Sequence, residues 1–138
     1  MRTILFRGWS VYDNTWVFGS LVQDDGNCTI ISDGDPGIEY PVDPDSVGEA
    51  TDFIDYHQNV IYEGDVLRAE FDDDRPTKTT RVVWDPIAAG FYLEERKKGK
   101  WKRLGSFDSL LARITTWWVI GNVFEGGWKT YHTRGRRG

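Results

Sequence analysis

Two short apolar segments, each running into a tight turn, constrain the fold of this chain most strongly. They are residues 61–67 (IYEGDVL) and residues 119–125 (VIGNVFE). In each segment, β-branched and aromatic residues favour an extended strand, and the glycine tolerates the positive φ that turns the chain back. Short strands that end in tight turns predict an antiparallel β structure.

The N-terminal third shows the same pattern of strands and turns. Asp13-Asn14 and Asp25-Gly26 are turn signals, and a tight hairpin is expected at the second because glycine accepts the primed turn types. Because proline donates no ladder hydrogen bond, Pro41 makes any strand near it short or places it at an edge. We predict a β-meander over residues 1–46, with strands at 2–9, 16–23 and 28–32.

The remaining segments predict a second lobe with one short helix. Ser106 can cap a helix over residues 106–113, and Asp108 lies in its first turn. The corner at residues 63–66 is typical of small barrels of the Src-homology 3 (SH3) type. We predict an all-β fold in which the meander packs on an SH3-like barrel at residues 60–125, followed by a flexible basic tail at 126–138. The predicted strands of this lobe are 60–62, 66–71, 77–84, 91–95, 100–104 and 117–125.

Size and composition limit the class of protein. A chain of 138 residues forms one domain or two small lobes. No apolar run approaches the length needed to span a bilayer, so we expect a protein that is neither exported nor membrane-embedded. The single cysteine, Cys28, cannot form an intrachain disulfide, which favours a reducing cytoplasm.

Charge is divided unevenly along the chain. Residues 1–75 hold 17 acidic and 4 basic side chains, a net charge of −13, whereas residues 76–138 have a net charge of +8. This division favours a molecule with opposite faces, pairing of segments within the fold, or head-to-tail association between copies. Charges that disperse in space on folding are the alternative.

Several motifs resemble those of the YopX family of phage and prophage proteins. They are residues 4–9 (ILFRGW), 16–22, 46–51, 61–67, 89–93 and 119–125. The resemblance extends over about residues 2–125 and implies a phage- or prophage-type β protein of uncharacterised biochemical role, acting in the cytoplasm of a bacterial host. It supplies no catalytic residue. This chain departs from the family pattern at the central turn, 56–60, and at 125–128.

Two acidic segments are candidate cation sites. Asp33, Asp35 and Glu39 alternate as calcium ligands do, but the EF-hand glycine and its distal glutamate are missing, so a solvated turn is favoured. The adjacent carboxylates of the other segment, Asp72-Asp73-Asp74, repel one another unless a cation lies nearby, and Arg75 can supply it. Cys28, His57 and His132 are too far apart in sequence to show the close spacing of structural zinc ligands. We expect no cofactor.

Enzymatic chemistry has little support in the sequence. Asp65, Glu63, Asp85 and His57 are candidates for a catalytic acid–base pair. In a chain with 22 acidic side chains, however, some pairs lie close together by chance, so the candidates carry little weight. A structural role also explains Asp65, because the side chain of an aspartate after glycine can hydrogen-bond the backbone of its own turn. The sequence contains no nucleophile elbow, phosphate loop or dinucleotide motif. We expect a protein that is not an enzyme.

A basic hairpin is the strongest candidate site. Its cations can bind phosphates through counterion release, and Trp101 can stack on a base. Tail residues Arg134, Arg136 and Arg137 add positive charge. The alternative is a solvated hairpin whose Trp101 packs inward. The candidate residues are Arg96, Lys97, Lys98, Lys100, Trp101, Lys102 and Arg103.

Protein–protein interaction is the function that the composition favours. Twenty aromatic residues exceed what a small barrel easily buries, and exposed tryptophan or tyrosine marks interfaces. Trp117 and Trp118 must point to opposite faces of one strand. We therefore predict a non-enzymatic binding module that contacts a protein partner or its own copies. Nucleic-acid binding and a carboxylate-dependent enzyme are the alternatives.

Overall fold

The structure is a computed structural model that describes residues 4–35 and 37–126. The chain divides into two compact units, Met1–Ala50 and Thr51–Gly138. Within the described residues, the elements are β-strands except for one five-residue α-helix and one turn of 3-10 helix. The predicted all-β class with one short helix is confirmed. The predicted tail, apart from Gly126, lies outside the described residues.

The first unit is a meander that closes on itself. Its strands are β1 (Phe6–Ser10), β2 (Thr15–Asp24), β3 (Asn27–Ser32) and β4 (Glu39–Val42), followed by the 3-10 helix Pro44–Ser46 and the start of β5 (Gly48–Ile54). Consecutive strands β1 to β4 pair antiparallel. β4 then pairs with β1 through Ser10 and Val42, so the four strands form a small closed barrel.

Local turn chemistry explains the meander, and one glycine explains its closure. Asp25 and Gly26 have φ values of 49° and 80°, which are the positive values that a tight primed hairpin turn needs. Where β4 meets β1, a Cβ on Gly8 would lie 2.8 Å from the side chain of Val42. Glycine is therefore needed where the barrel closes, and Val42 joins Val17, Cys28 and Ile30 in the core.

The second unit has the strand order of an SH3-like barrel. Its strands are the end of β5, β6 (Val60–Tyr62), β7 (Asp65–Phe71), β8 (Lys78–Asp85), β9 (Gly90–Lys97), β10 (Lys100–Ser106) and β11 (Ile114–Asn122). Five of them form an antiparallel sheet in the order β10-β9-β8-β7-β11, so the last strand returns to the first. This order confirms the SH3-like prediction.

The helix α1 (Phe107–Leu111) closes the core of the second unit. Ser106 caps it as predicted, because its Oγ accepts the backbone N–H of Ser109 at 3.2 Å. Phe107 is buried and stacks on Phe53 with a centroid distance of 4.5 Å. The buried core around it consists of Ile61, Leu67, Ala69, Phe71, Val82, Leu93 and Ile114.

Two predicted boundaries near the C-terminus are wrong. The helix ends at Leu111 rather than at residue 113, and the last strand runs from Ile114 to Asn122 rather than from 117 to 125. The strand ends early because the Asn122 side chain accepts the backbone N–H of Glu125 at 2.8 Å, which forms a turn. No helix in the described part of the chain is long and apolar enough to cross a membrane.

Candidate functional site

The basic hairpin consists of β9, β10 and a two-residue turn. Lys98 and Gly99 have φ values of 51° and 74°, and Lys97 pairs with Lys100 on either side of them. Positive φ at both central residues is the type I′ geometry, which matches the twist of the flanking strands. The predicted hairpin around residues 97–99 is therefore present, and its turn is exposed.

The hairpin divides its candidate residues between two faces. Paired residues of antiparallel strands point to the same side of the sheet, and Trp101 pairs with Arg96 whereas Lys102 pairs with Glu95. One side therefore carries Arg96, Trp101 and Arg103. The other side carries Lys97, Lys100 and Lys102, together with the buried Glu95. The seven predicted residues do not form one continuous cationic surface.

Arginine and aromatic side chains interleave on the first of these sides. The guanidinium carbons of Arg81 and Arg96 lie 4.8 Å and 5.1 Å from the Trp101 ring centroid, and that of Arg103 lies 4.1 Å from the Tyr92 centroid. These are cation–π distances, each contact being worth about 0.5–1 kcal/mol when exposed. We call Arg81, Tyr92, Arg96, Trp101 and Arg103 the arginine–tryptophan face.

Two carboxylates bind two of the three arginines of this face. Glu94 accepts from Arg81 at 2.7 Å, and Asp85 accepts from Arg103 at 2.9 Å. The hydrogen bond from Arg103 and the backbone N–H groups of Ala88 and Ile87 lower the pKa of Asp85, although partial burial acts against them. The arginine–tryptophan face is therefore held in one arrangement by ion pairs and ring contacts.

Sequence reasoning missed three members of this cluster. Arg81 lies on β8, and it reaches the hairpin because β8 pairs with β9 and places it opposite Glu94. Tyr92 and Glu94 lie on β9, outside the basic run. The alternation of residues 92, 94 and 96 along one strand is the signal that could have found the last two. No local signal identifies Arg81.

The lysines at the hairpin tip differ from the arginines. Lys98, Lys100 and Lys102 are exposed, and they form no ion pair with any residue that the structure describes. Lys97 lies 3.4 Å from Glu95, which also forms an ion pair with Lys78 at 2.7 Å. Burial acts to raise the pKa of Glu95, but the two lysines outweigh it and lower the pKa.

The acidic loop at residues 72–74 is neutralised by arginines. Asp73 lies 2.7 Å from Arg75 and 3.2 Å from Arg113, and Asp72 lies 3.4 Å from Arg113. Hydrogen bonds from the Arg75 side chain and backbone lower the pKa of Asp73 to about 2. Arg75 thus supplies the cation that the sequence suggested, and Arg113, two residues beyond the end of α1, adds a second.

The other metal and acid–base candidates have structural partners or stand apart. Asp65 is buried and accepts the backbone N–H of Tyr62 at 2.8 Å, as its turn position predicted. Asp33, Asp35 and Glu39 are exposed and do not converge on a common ligand position. Within residues 4–35 and 37–126, no three His, Cys, Asp or Glu side chains are grouped as metal ligands. His132 lies outside this range.

The adjacent tryptophans point to opposite sides of β11, as predicted. Trp117 packs against the core of the second unit, and its Nε1–H donates to the carbonyl of Ile54 at 2.9 Å. Trp118 pairs with Arg68 and points to the opposite side of the sheet. Arg81 lies on this same side, because Arg68 pairs with Thr79, which is two residues from Arg81 along β8. Aromatic and arginine side chains therefore continue across this side of the sheet.

The fold and the match to a family model identify the class of the protein. A model of the YopX family, described as YopX protein, matches residues 5–127. The chain belongs to the YopX family. The crystal structure of protein EF1440 from Enterococcus faecalis is similar, with a TM-score of 0.52 and 21% sequence identity, covering 89% of this chain and 94% of that chain. At that identity the likeness shows the fold alone. Among curated proteins, none matches at a significant level.

Proposed function

We propose that this chain is a non-enzymatic binding module that holds a partner protein through its arginine–tryptophan face. One observation carries the proposal: Trp101 lies within about 5 Å of two guanidinium groups, which the register of β8, β9 and β10 brings to one side of the sheet. Tryptophan, tyrosine and arginine are the residues most enriched at energetically important interface positions. Side chains that are already ordered lose less entropy when a partner binds.

Two features of the face favour a protein partner over nucleic acid. Glu94 and Asp85 lie beside the arginines, and their negative charges weaken the attraction for phosphate groups. The Trp101 ring already contacts two guanidinium groups, so a base must displace them before it stacks. A protein surface with carboxylates and apolar groups can bind without displacing these groups. Its carboxylates can pair with the arginines in addition to Glu94 and Asp85.

Family membership supports a setting for this module. We place the protein among phage or prophage accessory proteins that act in the cytoplasm of a bacterial host. The support is the match to the YopX family and the single cysteine, which is buried and forms no disulfide.

Nucleic-acid binding is the second candidate, and the lysines of the hairpin tip favour it. Lys98, Lys100 and Lys102 are exposed cations without an ion-pair partner among the described residues. If they bound phosphates, affinity would fall with salt by about 0.7–0.9 log units per log unit of salt for each contact. A fluorescence titration with DNA and RNA at two salt concentrations measures this slope.

Site-specific photo-crosslinking in the bacterial host tests the proposal directly. A benzoylphenylalanine at position 92 lies on the arginine–tryptophan face, and one at the exposed position 56, in the turn beside β11, is the control. We expect a discrete protein adduct at position 92 that is absent at position 56 and is lost on Arg96→Glu. Adducts with nucleic acid, or equal protein adducts at both positions, contradict the proposal.

A further inference from the structure

An open cleft on the first unit combines aromatic walls with carboxylates. Its volume is about 460 Å³. Trp16 and Phe18 alternate along β2, and both therefore point away from the barrel core that Val17 enters. Phe18 is 41% exposed, which is unusual for a phenylalanine on a small barrel. We call this the acidic–aromatic cleft, and the residues that define it are Asp13, Trp16, Phe18, Asp33, Asp35 and Tyr40.

The chemistry of the cleft suits a cationic side chain. Asp13, Asp33 and Asp35 are exposed, and none of them forms an ion pair with a described residue. The Trp16 ring already holds one guanidinium, since the Arg7 carbon Cζ lies 4.8 Å from its centroid. Aromatic rings attract cations, and they also pack against the methylene stems of lysine.

The hairpin tip is the matching cationic feature of the same chain. Its two-residue turn is the narrowest connection that a hairpin can have, and residues 97–100 are all exposed. Lys98 and Lys100 have no carboxylate partner in the described structure, whereas Arg81 and Arg103 each have one. The described residues thus leave lysines at the tip and carboxylates in the cleft without partners of opposite charge.

We propose that the hairpin tip of one copy docks into the acidic–aromatic cleft of a second copy. This inference goes beyond the proposed function, because neither the tip lysines nor the cleft belongs to the arginine–tryptophan face. Lys98 and Lys100 would approach Asp33 and Asp35, with their stems against the aromatic wall. Charge complementarity of this kind raises the association rate and fixes the register of a contact.

The contact is heterologous, because tip and cleft are different surfaces of the same chain. A heterologous contact forms a ring when its rotation closes and an open assembly when it does not. We therefore expect association that extends beyond a dimer as concentration rises. Association should weaken with salt, since these charges are exposed and the screening length is about 10 Å at 0.1 M ionic strength.

Sedimentation velocity with charge-neutralised variants tests the contact. The cleft variant is Asp33→Asn with Asp35→Asn, and the tip variant is Lys98→Gln with Lys100→Gln. The control, Asp24→Asn with Asp45→Asn, removes the same charge from exposed positions that do not line the cleft. We expect the cleft and tip variants each to associate at least about tenfold more weakly than the wild type, and the control to be unchanged.

Mixing the two defective variants is the decisive step. The cleft variant keeps an intact tip and the tip variant keeps an intact cleft, so the mixture should form a 1:1 heterodimer that grows no further. A wild-type chain that stays monomeric, or a mixture that stays monomeric, overturns the inference. If the cleft variant still associates and a protein adduct still forms at position 92, the inference fails while the proposed function stands. If no protein adduct forms at position 92, the proposed function fails, whatever the sedimentation result.

Discussion

Replacement of Asp55 by alanine should destabilise the second unit strongly. The carboxylate is 2% exposed and accepts the backbone N–H groups of His57 at 2.9 Å, Asn59 at 2.8 Å and Val119 at 3.0 Å. It therefore joins the turn at residues 55–59 to β11 across 64 positions of sequence. Alanine removes all of these acceptors and leaves the three donors without them.

The expected loss in the free energy of unfolding follows from these hydrogen bonds. A hydrogen bond to a charged group contributes about 1.5–3 kcal/mol, but bonds that share one carboxylate are not additive. We expect Asp55→Ala to lower the free energy of unfolding by about 3–4 kcal/mol, a large part of the roughly 5–15 kcal/mol that holds a domain together. The control is Asp74→Ala, an exposed carboxylate of the same unit, which should change the free energy by less than about 0.5 kcal/mol.

Acid titration adds a second test of the same reasoning. Burial acts to raise the pKa of Asp55, but hydrogen bonds from Val119, Asn59 and His57 outweigh it and lower the pKa below its usual value of 3.8. The folded state thus favours the ionised form, so this stabilisation is complete above about pH 4 and is lost as the pH falls through the lowered pKa. Urea unfolding followed by tryptophan fluorescence should show a difference between Asp55→Ala and wild type that shrinks with acid. Equal stability of the alanine variant and wild type at neutral pH refutes the account.

Two further predictions concern the barrel and the acidic loop. Gly19→Ala should destabilise the first unit by about 3 kcal/mol, because an added Cβ would overlap the carbonyl oxygen of Ile31. The control in thermal unfolding is Gly34→Ala, whose Cβ would make only an ordinary contact of 3.8 Å with the Ser32 Oγ. The carboxyl of Asp73 should titrate by NMR with a pKa of about 2, and Arg75→Gln should move it towards 3.8; an unchanged pKa in that variant refutes the assignment to Arg75. The stability that Asp73 contributes should be lost between about pH 4 and 2.

Strands and turns were predictable because their causes are local. The turn at Asp25-Gly26 and the hairpin turn at Lys98-Gly99 follow from residues that accept positive φ. The end of the last strand was not predictable from alternation. Apolar residues continue beyond Asn122, but its side chain bonds the backbone three residues ahead and stops the ladder.

The candidate site was predictable only in part. The sequence identified the cations of the basic hairpin, yet it treated them as one surface. Pairing of Trp101 with Arg96 and of Lys102 with Glu95 separates them onto two sides. Arg81 is absent from any local pattern, since it is 20 residues from Trp101 along the chain and reaches it through β8.

By itself, the sequence determined the all-β class, the tight turns, the capped helix and the uneven distribution of charge. These depend on side-chain shape and backbone preference within a few residues. Only the tertiary structure decided that the meander closes at Gly8 and Val42, and that Arg81 joins Trp101. Both depend on the register between strands that are distant in sequence, and register is set by the packing of whole faces rather than by any single segment.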